Sequence, residues 1–328
     1  MNKTVLVTGG AGYIGSHTVR HLLAAGFQVV VLDTLYSGHR WAVHEDAELI
    51  VGDAGSDVDL EAVFGQYTFD AIVHFAGHIV VPESVVDPLK YYQNNCLVTQ
   101  NLVSYAIKYA VKQFVFSSSA AVYGAPESIP VLETTPTQPI NPYGRTKLIS
   151  EWTLQDVGAA NSEFNYIALR YFNVAGAAVD GSLGQATPEA THLIKVACEV
   201  ATGKRDKIAI YGTDYPTTDG TCIRDYIHVD DLAMAHVSAL RYLASNESSA
   251  VFNCGYGAGF SVREVLDCVS DVVGKKLNIV EQGRRDGDPA ALVADNRKIL
   301  SELDWQPRYN DLKIICQTAF DWEKSYNS

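Results

Sequence analysis

Tyr143 and Lys147 lie four residues apart in a segment that the sequence predicts to be helical. Asn141 and Pro142 come directly before them; Asn is a good N-cap and Pro a good first helical residue. Helical spacing therefore places both side chains on one face. A phenol, with an ordinary pKa of about 10, is a weak base at neutral pH, but a nearby ammonium group lowers that pKa. The pair is suited to take the proton from a hydroxyl group that is being oxidised.

Ser119 is a third candidate for the same chemistry. It belongs to a serine-rich segment that follows a predicted strand at 114–117. In an open parallel sheet, the carboxyl end of a strand borders the ligand crevice. We therefore expect Ser119 to hydrogen-bond a substrate oxygen, although such a segment can also simply cap the strand.

A glycine motif predicts a dinucleotide site near the start of the chain. Gly9, Gly12 and Gly15 lie between a predicted strand at 5–7 and a predicted helix at 16–25. Glycines in this context let the backbone approach a pyrophosphate, which binds the N–H groups at the helix N-terminus. Asp33 ends the next strand, where a carboxylate accepts the adenosine ribose hydroxyls. Its charge would repel a 2′-phosphate, so we predict NAD rather than NADP.

Further cofactor contacts are expected after the third and fourth strands and within a helical stretch at 91–109. An acid after the third strand can reach the adenine edge, although an exposed loop Asp is as good an interpretation. Small residues after the fourth strand suit a backbone that runs along a cofactor. The residues in question are Asp53, Ala54, Phe75, Ala76, Gly77 and Asn94.

The elements that must position these residues alternate along the first half of the chain. Short, nearly continuous apolar runs are separated by helical patterns, which is typical of a parallel sheet covered on both faces. We predict an α/β fold: a Rossmann-type doubly wound parallel sheet at 1–172 that binds NAD. A smaller mixed α/β C-terminal part at 173–328 would bind the substrate, with some segments interleaved and a cleft between the two.

Composition narrows the choice of partners. The 328 residues carry a net charge of −13, which argues against nucleic acid or an anionic membrane as partner. The six cysteines are scattered without metal-ligand spacing, so no metal site is expected and a reducing compartment fits. No apolar run reaches the ~18 residues of a membrane span. We expect a cytoplasmic protein.

Several longer motifs carry a resemblance to a known family. The glycine motif, the Ser119 segment and the Tyr143–Lys147 pair are similar to those of the extended short-chain dehydrogenase/reductases. The match continues through later segments and is most specific for the UDP-glucose 4-epimerase (UDP-galactose 4-epimerase) branch. These segments are 169–173, 215–216, 219–221, 224–229 and 284–288.

The resemblance implies an NAD-dependent isomerase, usually a homodimer, that acts on UDP-glucose and UDP-galactose. Tyr143 would take the proton from the sugar 4-hydroxyl while C4 gives a hydride to NAD, and the 4-keto sugar would turn over before the hydride returns. Lys147 would bind the nicotinamide ribose and Ser119 the substrate. The resemblance adds Tyr13, Ile14 and Tyr171 to the cofactor site. It assigns the UDP-sugar to Asn173, Leu193, Tyr211, Arg224, Tyr226, Arg285, Asp288 and Leu292.

Two positions depart from the family pattern. Ile79 stands where the better-known epimerases have a lysine that contacts the cofactor, and His78 is one candidate to replace it. Leu292 falls where the family limits the space beside the sugar 2-substituent, and its intermediate size leaves N-acetylated sugars open.

Four alternatives remain at this stage. A UDP-N-acetylhexosamine or UDP-pentose 4-epimerase would use the same catalytic residues. A nucleotide-sugar 4,6-dehydratase needs an acid–base carboxylate beside the serine, where this chain has Ala120 and Ala121. A catalytically inactive NAD-binding protein should lack Tyr143 or Lys147, and both are present.

Overall fold

Strands and helices alternate along the chain as the sequence predicts. The computed structural model describes residues 3–246, 248–285 and 287–326. Its strands are β1 (Thr4–Thr8), β2 (Gln28–Asp33), β3 (Glu48–Val51), β4 (Ala71–His74), β5 (Gln113–Ser119), β6 (Asn165–Tyr171), β7 (Asn173–Ala175), β8 (Ile208–Tyr211), β9 (Ile223–His228), β10 (Ala250–Cys254), β11 (Gly259–Ser261), β12 (Ile279–Gln282) and β13 (Ala291–Leu292). Its α-helices are α1 (Tyr13–Ala24), α2 (Asp57–Gln66), α3 (Val81–Val86), α4 (Pro88–Tyr91), α5 (Val98–Lys108), α6 (Pro142–Ala160), α7 (Leu193–Thr202), α8 (Val229–Asn246), α9 (Val262–Val273), α10 (Arg297–Glu302) and α11 (Leu312–Ser325).

A seven-stranded parallel sheet organises the first part of the molecule. Its spatial order is β10-β6-β5-β4-β1-β2-β3, and every neighbouring pair is parallel. The chain reverses its direction of winding between β1 and β4, which is where doubly wound sheets bind their ligands. The predicted fold class is confirmed.

Both faces of this sheet are buried, which explains the nearly continuous apolar strands. Val5 and Val7 of β1 pack on the side of α1 and α8, whereas Leu6 packs on the side of α2, α5 and α6. Successive strand residues point to opposite faces, so each face needs its own apolar set. Because helices cover both faces, a ligand reaches the sheet at the carboxyl ends of its strands.

The helical stretch predicted at 91–109 is more complex than its sequence pattern indicates. A π-helical segment, Tyr92–Leu97, lies between α4 and α5. Such segments are often found at functional sites, and this one contains both Asn94 and the buried Asn95.

A second, smaller group of sheets follows β6. Strand β9 pairs with β7 and β13 in parallel and with β11 antiparallel, and β8 pairs with β12. The predicted change at residue 172 coincides with the step from β6 to β7. Because β10 returns to the seven-stranded sheet, the two parts share the chain after that point. The exact division into domains stays a prediction.

Neither a membrane span nor a metal cluster is found within residues 3–246, 248–285 and 287–326. No helix there has the length and apolar character needed to cross a bilayer. Within the same ranges, no group of three or more His, Cys, Asp or Glu side chains could hold a metal ion.

Candidate active site

The glycine loop forms a cradle that larger residues would fill. Gly9 has a φ of +73°, and a Cβ there would lie 2.6 Å from the backbone nitrogen of Ala76. A Cβ at Gly15 would lie 2.2 Å from the carbonyl oxygen of Gly9. Helix α1 begins at Tyr13, and no side chain caps its N-terminus at Gly12. The loop therefore suits a pyrophosphate that accepts the first N–H groups of the helix, including those of Tyr13 and Ile14.

Asp33 lies beside this loop in a fixed orientation. Its Oδ2 accepts a hydrogen bond from the N–H of Ala11 at 2.9 Å and its Oδ1 from Leu35 at 2.8 Å. The N–H of His39 in turn binds the carbonyl of Ala11 at 2.9 Å. A carboxylate has about four acceptor positions, so Asp33 keeps capacity for two further donors, as the predicted ribose contact requires.

The other predicted cofactor residues gather at the same edge of the sheet. Phe75, Ala76 and Gly77 follow β4, and the N–H of Ala76 binds the carbonyl of Thr8 at 3.2 Å. Asp53 is exposed and its Oδ1 closes a local turn with the N–H of Gly55 at 2.7 Å, while Ala54 is buried. The amide of Asn94 donates to the carbonyl of Lys90 at 2.8 Å. Cofactor contacts by these residues stay predictions.

The structure brings Ser119, Tyr143 and Lys147 together. Asn141 caps α6 by accepting the N–H of Gly144 at 2.8 Å, as the sequence predicts. Tyr143 is 8% and Lys147 4% exposed, and the Lys147 ammonium lies 6.0 Å from the centre of the Tyr143 ring. The Ser119 hydroxyl lies close enough to that of Tyr143 to favour the phenolate. Lys147 donates to the carbonyl of Ser117 at 2.7 Å.

Burial controls the ionisation of this group. It raises the pKa of Tyr143, and the Ser119 hydroxyl opposes that rise. Burial also lowers the pKa of Lys147 to about 8. The sequence predicts that the pKa of Tyr143 is lowered. In the protein without its cofactor it is raised instead, because burial of the phenolate outweighs its stabilisation by Ser119. The positive charge of an oxidised nicotinamide would have to lower the pKa of Tyr143 further.

Three residues that were not predicted from the sequence hold the first turn of α6 in place. The Oγ of Ser84 accepts the N–H of Tyr143 at 3.2 Å. Thr146 donates to the carbonyl of Tyr143 at 2.7 Å, and Asn95 donates to the Oγ1 of Thr146 at 3.1 Å. A signal that could have found Asn95 is its place beside Asn94 in a helical stretch, because a buried polar pair needs partners; nothing in the sequence pointed to Ser84.

Tyr171 of β6 lies opposite Ser119 of β5 in the strand register. Its hydroxyl is hydrogen-bonded to the Oγ of Ser117, and burial raises its pKa. Tyr171 thus lies next to the catalytic group, and its contact with the cofactor stays a prediction.

Most of the predicted substrate residues cluster around Asp288. Arg285 Nε lies 3.0 Å from Asp288 Oδ2 and Arg224 Nη2 lies 3.6 Å from Oδ1. The Arg285 guanidinium also stacks 4.5 Å from the centre of the Tyr211 ring. Leu292 of β13 pairs with Arg224 of β9. Two cations with one carboxylate between them leave net positive charge for a diphosphate.

Leu292 connects this cluster to the catalytic serine segment. It is 8% exposed and packs in one apolar cluster with Ala120, Val122 and Phe172. Ala120 directly follows Ser119. The diphosphate residues and the catalytic hydroxyls therefore border a common region.

Three further predicted substrate residues lie on β7, α7 and β9. Asn173 of β7 pairs with Tyr226 of β9, and Leu193 is the first residue of α7. Tyr226 is only 3% exposed and belongs to the large apolar core. Asp286, part of the motif at 284–288, lies outside the described residues.

Comparison with known proteins agrees with this geometry. The sequence profile described as the NAD dependent epimerase/dehydratase family matches residues 5–255. The chain belongs to this family. It is 52% identical to the UDP-glucose 4-epimerase of Azospirillum brasilense, over 98% of this chain and 92% of that protein.

Two solved structures are similar over nearly the whole chain. The UDP-glucose 4-epimerase of Brucella ovis in complex with NAD is 43% identical, with a TM-score of 0.93 and coverage of 97% of both chains. The UDP-Glc/GlcNAc 4-epimerase of Campylobacter jejuni is 50% identical, with a TM-score of 0.87 and coverage of 99% of this chain and 100% of that chain. The predictions of the family, of an enzyme and of NAD as cofactor are confirmed.

Proposed function

We propose that this family member interconverts UDP-glucose and UDP-galactose by inverting the configuration at C4 of the sugar. The observation that carries the proposal is the buried group of Ser119, Tyr143 and Lys147, which lies at the same carboxyl edge of the sheet as the glycine cradle, with β4 between β5 and β1. The relatives named above support a 4-epimerase over a dehydratase or an inactive binding protein.

Each catalytic residue has a role that follows from its position. Tyr143 takes the proton from the 4-hydroxyl during oxidation and gives it back during reduction. Ser119 donates to the Tyr143 oxygen and favours its anionic form. Lys147 adds positive charge and would contact the nicotinamide ribose. Bound NAD supplies the acceptor for the C4 hydride and the means of returning it.

Arg224 and Arg285 would hold the diphosphate while the sugar is free to turn. Guanidinium groups bind phosphate oxygens through two parallel hydrogen bonds, so the UDP end can stay fixed. The 4-keto sugar then presents either face of C4 to the same cofactor. The net charge of −13 does not oppose this binding, because charges more than ~8–10 Å away are largely screened at ordinary ionic strength.

A second substrate class has support from one relative. The Campylobacter jejuni enzyme is described as acting on UDP-Glc and UDP-GlcNAc, and Leu292 leaves more room than an aromatic residue would. Conversion of UDP-N-acetylglucosamine is therefore the main alternative substrate preference.

The deciding experiment is incubation of the purified enzyme with UDP-glucose, UDP-N-acetylglucosamine and UDP-xylose in separate reactions. Chromatography then identifies the 4-epimer formed in each. We expect UDP-galactose from UDP-glucose. Formation of a 4-keto-6-deoxy sugar would identify a dehydratase, and no product from any substrate would refute the proposal.

We also propose a cytoplasmic homodimer. Leu97 and Trp152, on helices that lie on the same side of the sheet, are 58% and 54% exposed, and we place them in the contact between the two subunits. The cysteines of the described chain are free, as expected in a reducing compartment. Light scattering should give twice the 35.7 kDa chain mass, and Trp152→Lys should give the monomer.

A further inference from the structure

Tyr36 and His78 connect two loops that are distant in the sequence. Their rings meet edge to face with centroids 5.2 Å apart. Tyr36 lies in the loop after β2, three residues beyond Asp33, and His78 directly follows Gly77 after β4. Neither residue has a role in the catalytic group or in the predicted substrate site.

The contact between Tyr36 and His78 lies at the edge of the sheet where a dinucleotide would bind. Strand β1, which carries the glycine cradle, lies between β4 and β2. The carboxyl ends of parallel strands lie at one edge, and a dinucleotide binds outside that edge. A side-chain contact from the β2 loop to the β4 loop therefore passes over the mouth of the cradle.

The His78 side of the contact is firmly held. Asn95 accepts the N–H of His78 at 2.8 Å and donates to its carbonyl at 3.0 Å. The His78 ring also lies 5.7 Å from that of the fully buried Tyr91. The backbone of His78 cannot move away without breaking both hydrogen bonds to a buried amide.

The Tyr36 side is held by weaker contacts, among them a hydrogen bond from its backbone N–H to the Oγ1 of Thr34 at 3.3 Å. Tyr36 is 71% exposed. Its hydroxyl lies 3.5 Å from the ammonium of Lys90, which also lies 5.5 Å from the centre of the Tyr36 ring. Lys90 is fixed by Glu83 at 2.6 Å. One partner is therefore anchored and the other can swing into solvent, as the opening of a cofactor cleft requires.

We propose that Tyr36, His78 and Lys90 form a clasp over the bound dinucleotide that slows its release; this rests on the proposed NAD site. The clasp brings a lysine ammonium to the segment in which Ile79 replaces the family lysine. Its contribution is to retention of the cofactor, not to the proton transfer at Tyr143.

The test is exchange of the bound cofactor by the holoenzyme. Protein purified with its dinucleotide is mixed with excess deuterium-labelled NAD, and the bound fraction is followed by mass spectrometry after rapid desalting. Variants Tyr36→Ala and His78→Ala should each exchange roughly 2- to 12-fold faster, the range expected from one aromatic contact. The double variant should be no faster than the faster single variant, because both remove the same contact.

Matched controls separate the clasp from general loosening. His44→Ala removes an exposed histidine elsewhere on the surface, and Lys112→Met removes an exposed lysine that pairs with Glu163 at 3.0 Å. Both should exchange at the wild-type rate, whereas Lys90→Met should exchange faster.

Two other outcomes have distinct meanings. Unchanged exchange in both Tyr36→Ala and His78→Ala, or fully multiplicative effects in the double variant, would overturn the clasp while leaving the NAD site intact. Wild-type protein that neither contains nor takes up NAD would overturn the proposed cofactor site itself.

Discussion

The Ser119 hydroxyl lies close to the Tyr143 hydroxyl at the carboxyl edge of the sheet, and it lowers the pKa of the phenol against the larger effect of burial. Ser119 ends β5, whereas Tyr143 lies in the first turn of α6. The contact therefore depends on how the helix is seated on the strand, which Ser84 and Asn141 secure through its first N–H groups.

Replacement of Ser119 should move the pH dependence of turnover. Without the Ser119 hydroxyl, the pKa of Tyr143 should rise, so the ascending limb of the rate against pH should shift to higher pH in Ser119→Ala. Ser119→Thr keeps a hydroxyl group and should recover much of the wild-type profile. Initial rates across pH 6 to 10 measure this, and an unshifted limb in Ser119→Ala would exclude the role given to Ser119.

Gly15→Ala should abolish retention of the dinucleotide. The added Cβ would lie 2.2 Å from the carbonyl oxygen of Gly9, so the cradle must deform. Gly65→Ala is the matched control, because a Cβ at this helical position meets nothing within 4 Å and should stabilise α2 by up to about 1 kcal/mol. Dinucleotide released on denaturation is measured by chromatography. Full occupancy in Gly15→Ala would refute the assignment of the cradle.

More of the fold than of the candidate site could be predicted from the sequence. The sheet was predictable because both of its faces are buried, which leaves nearly continuous apolar runs such as that of β1. The glycine cradle and the α6 cap were predictable because they are local. The contacts of Ser84 with Tyr143 and of Tyr36 with His78 were not, because each joins segments whose proximity arises only from the order of the strands.

The ionisation of Tyr143 was predicted only in part. Sequence spacing correctly placed Lys147 beside the phenol, but it contains no information on burial. Because both side chains are nearly inaccessible, desolvation raises the pKa of Tyr143 and lowers that of Lys147. The sequence therefore predicts that the two side chains lie together, but not how burial shifts their pKa values.

Arg224→Met should weaken substrate binding without loss of the cofactor. Arg224 lies beside Asp288 and opposite Leu292, away from the glycine cradle. Loss of a charged hydrogen bond to phosphate costs about 1.5–3 kcal/mol, so KM for UDP-glucose should rise roughly 10- to 150-fold. Arg263→Met, at an exposed ion pair with Glu281, should leave KM unchanged. A normal KM in Arg224→Met would remove this residue from the substrate site.

Acid should destabilise the protein through His74. This buried side chain is hydrogen-bonded to Thr8 at 2.6 Å and to Thr99 at 3.0 Å, and burial lowers its pKa to about 3. The unfolded chain takes up this proton near the ordinary pKa of 6.5, so the contribution of neutral His74 to stability is complete above pH 6.5 and falls as the pH drops toward 3.

His74→Gln removes that titration. Between pH 6.5 and 5, wild type should lose about 1.6 kcal/mol more of its free energy of unfolding than His74→Gln. Urea denaturation at the two pH values measures the difference. Equal losses in the two proteins would show that His74 does not sense acid.

The most direct test of the catalytic assignment is the rate of conversion of UDP-glucose to UDP-galactose by Tyr143→Phe and wild type, measured with the dinucleotide content of each. The account predicts a folded variant with a normal complement of NAD and a turnover lower by about 10²–10⁴-fold. Near-normal turnover in a variant that retains NAD would contradict it.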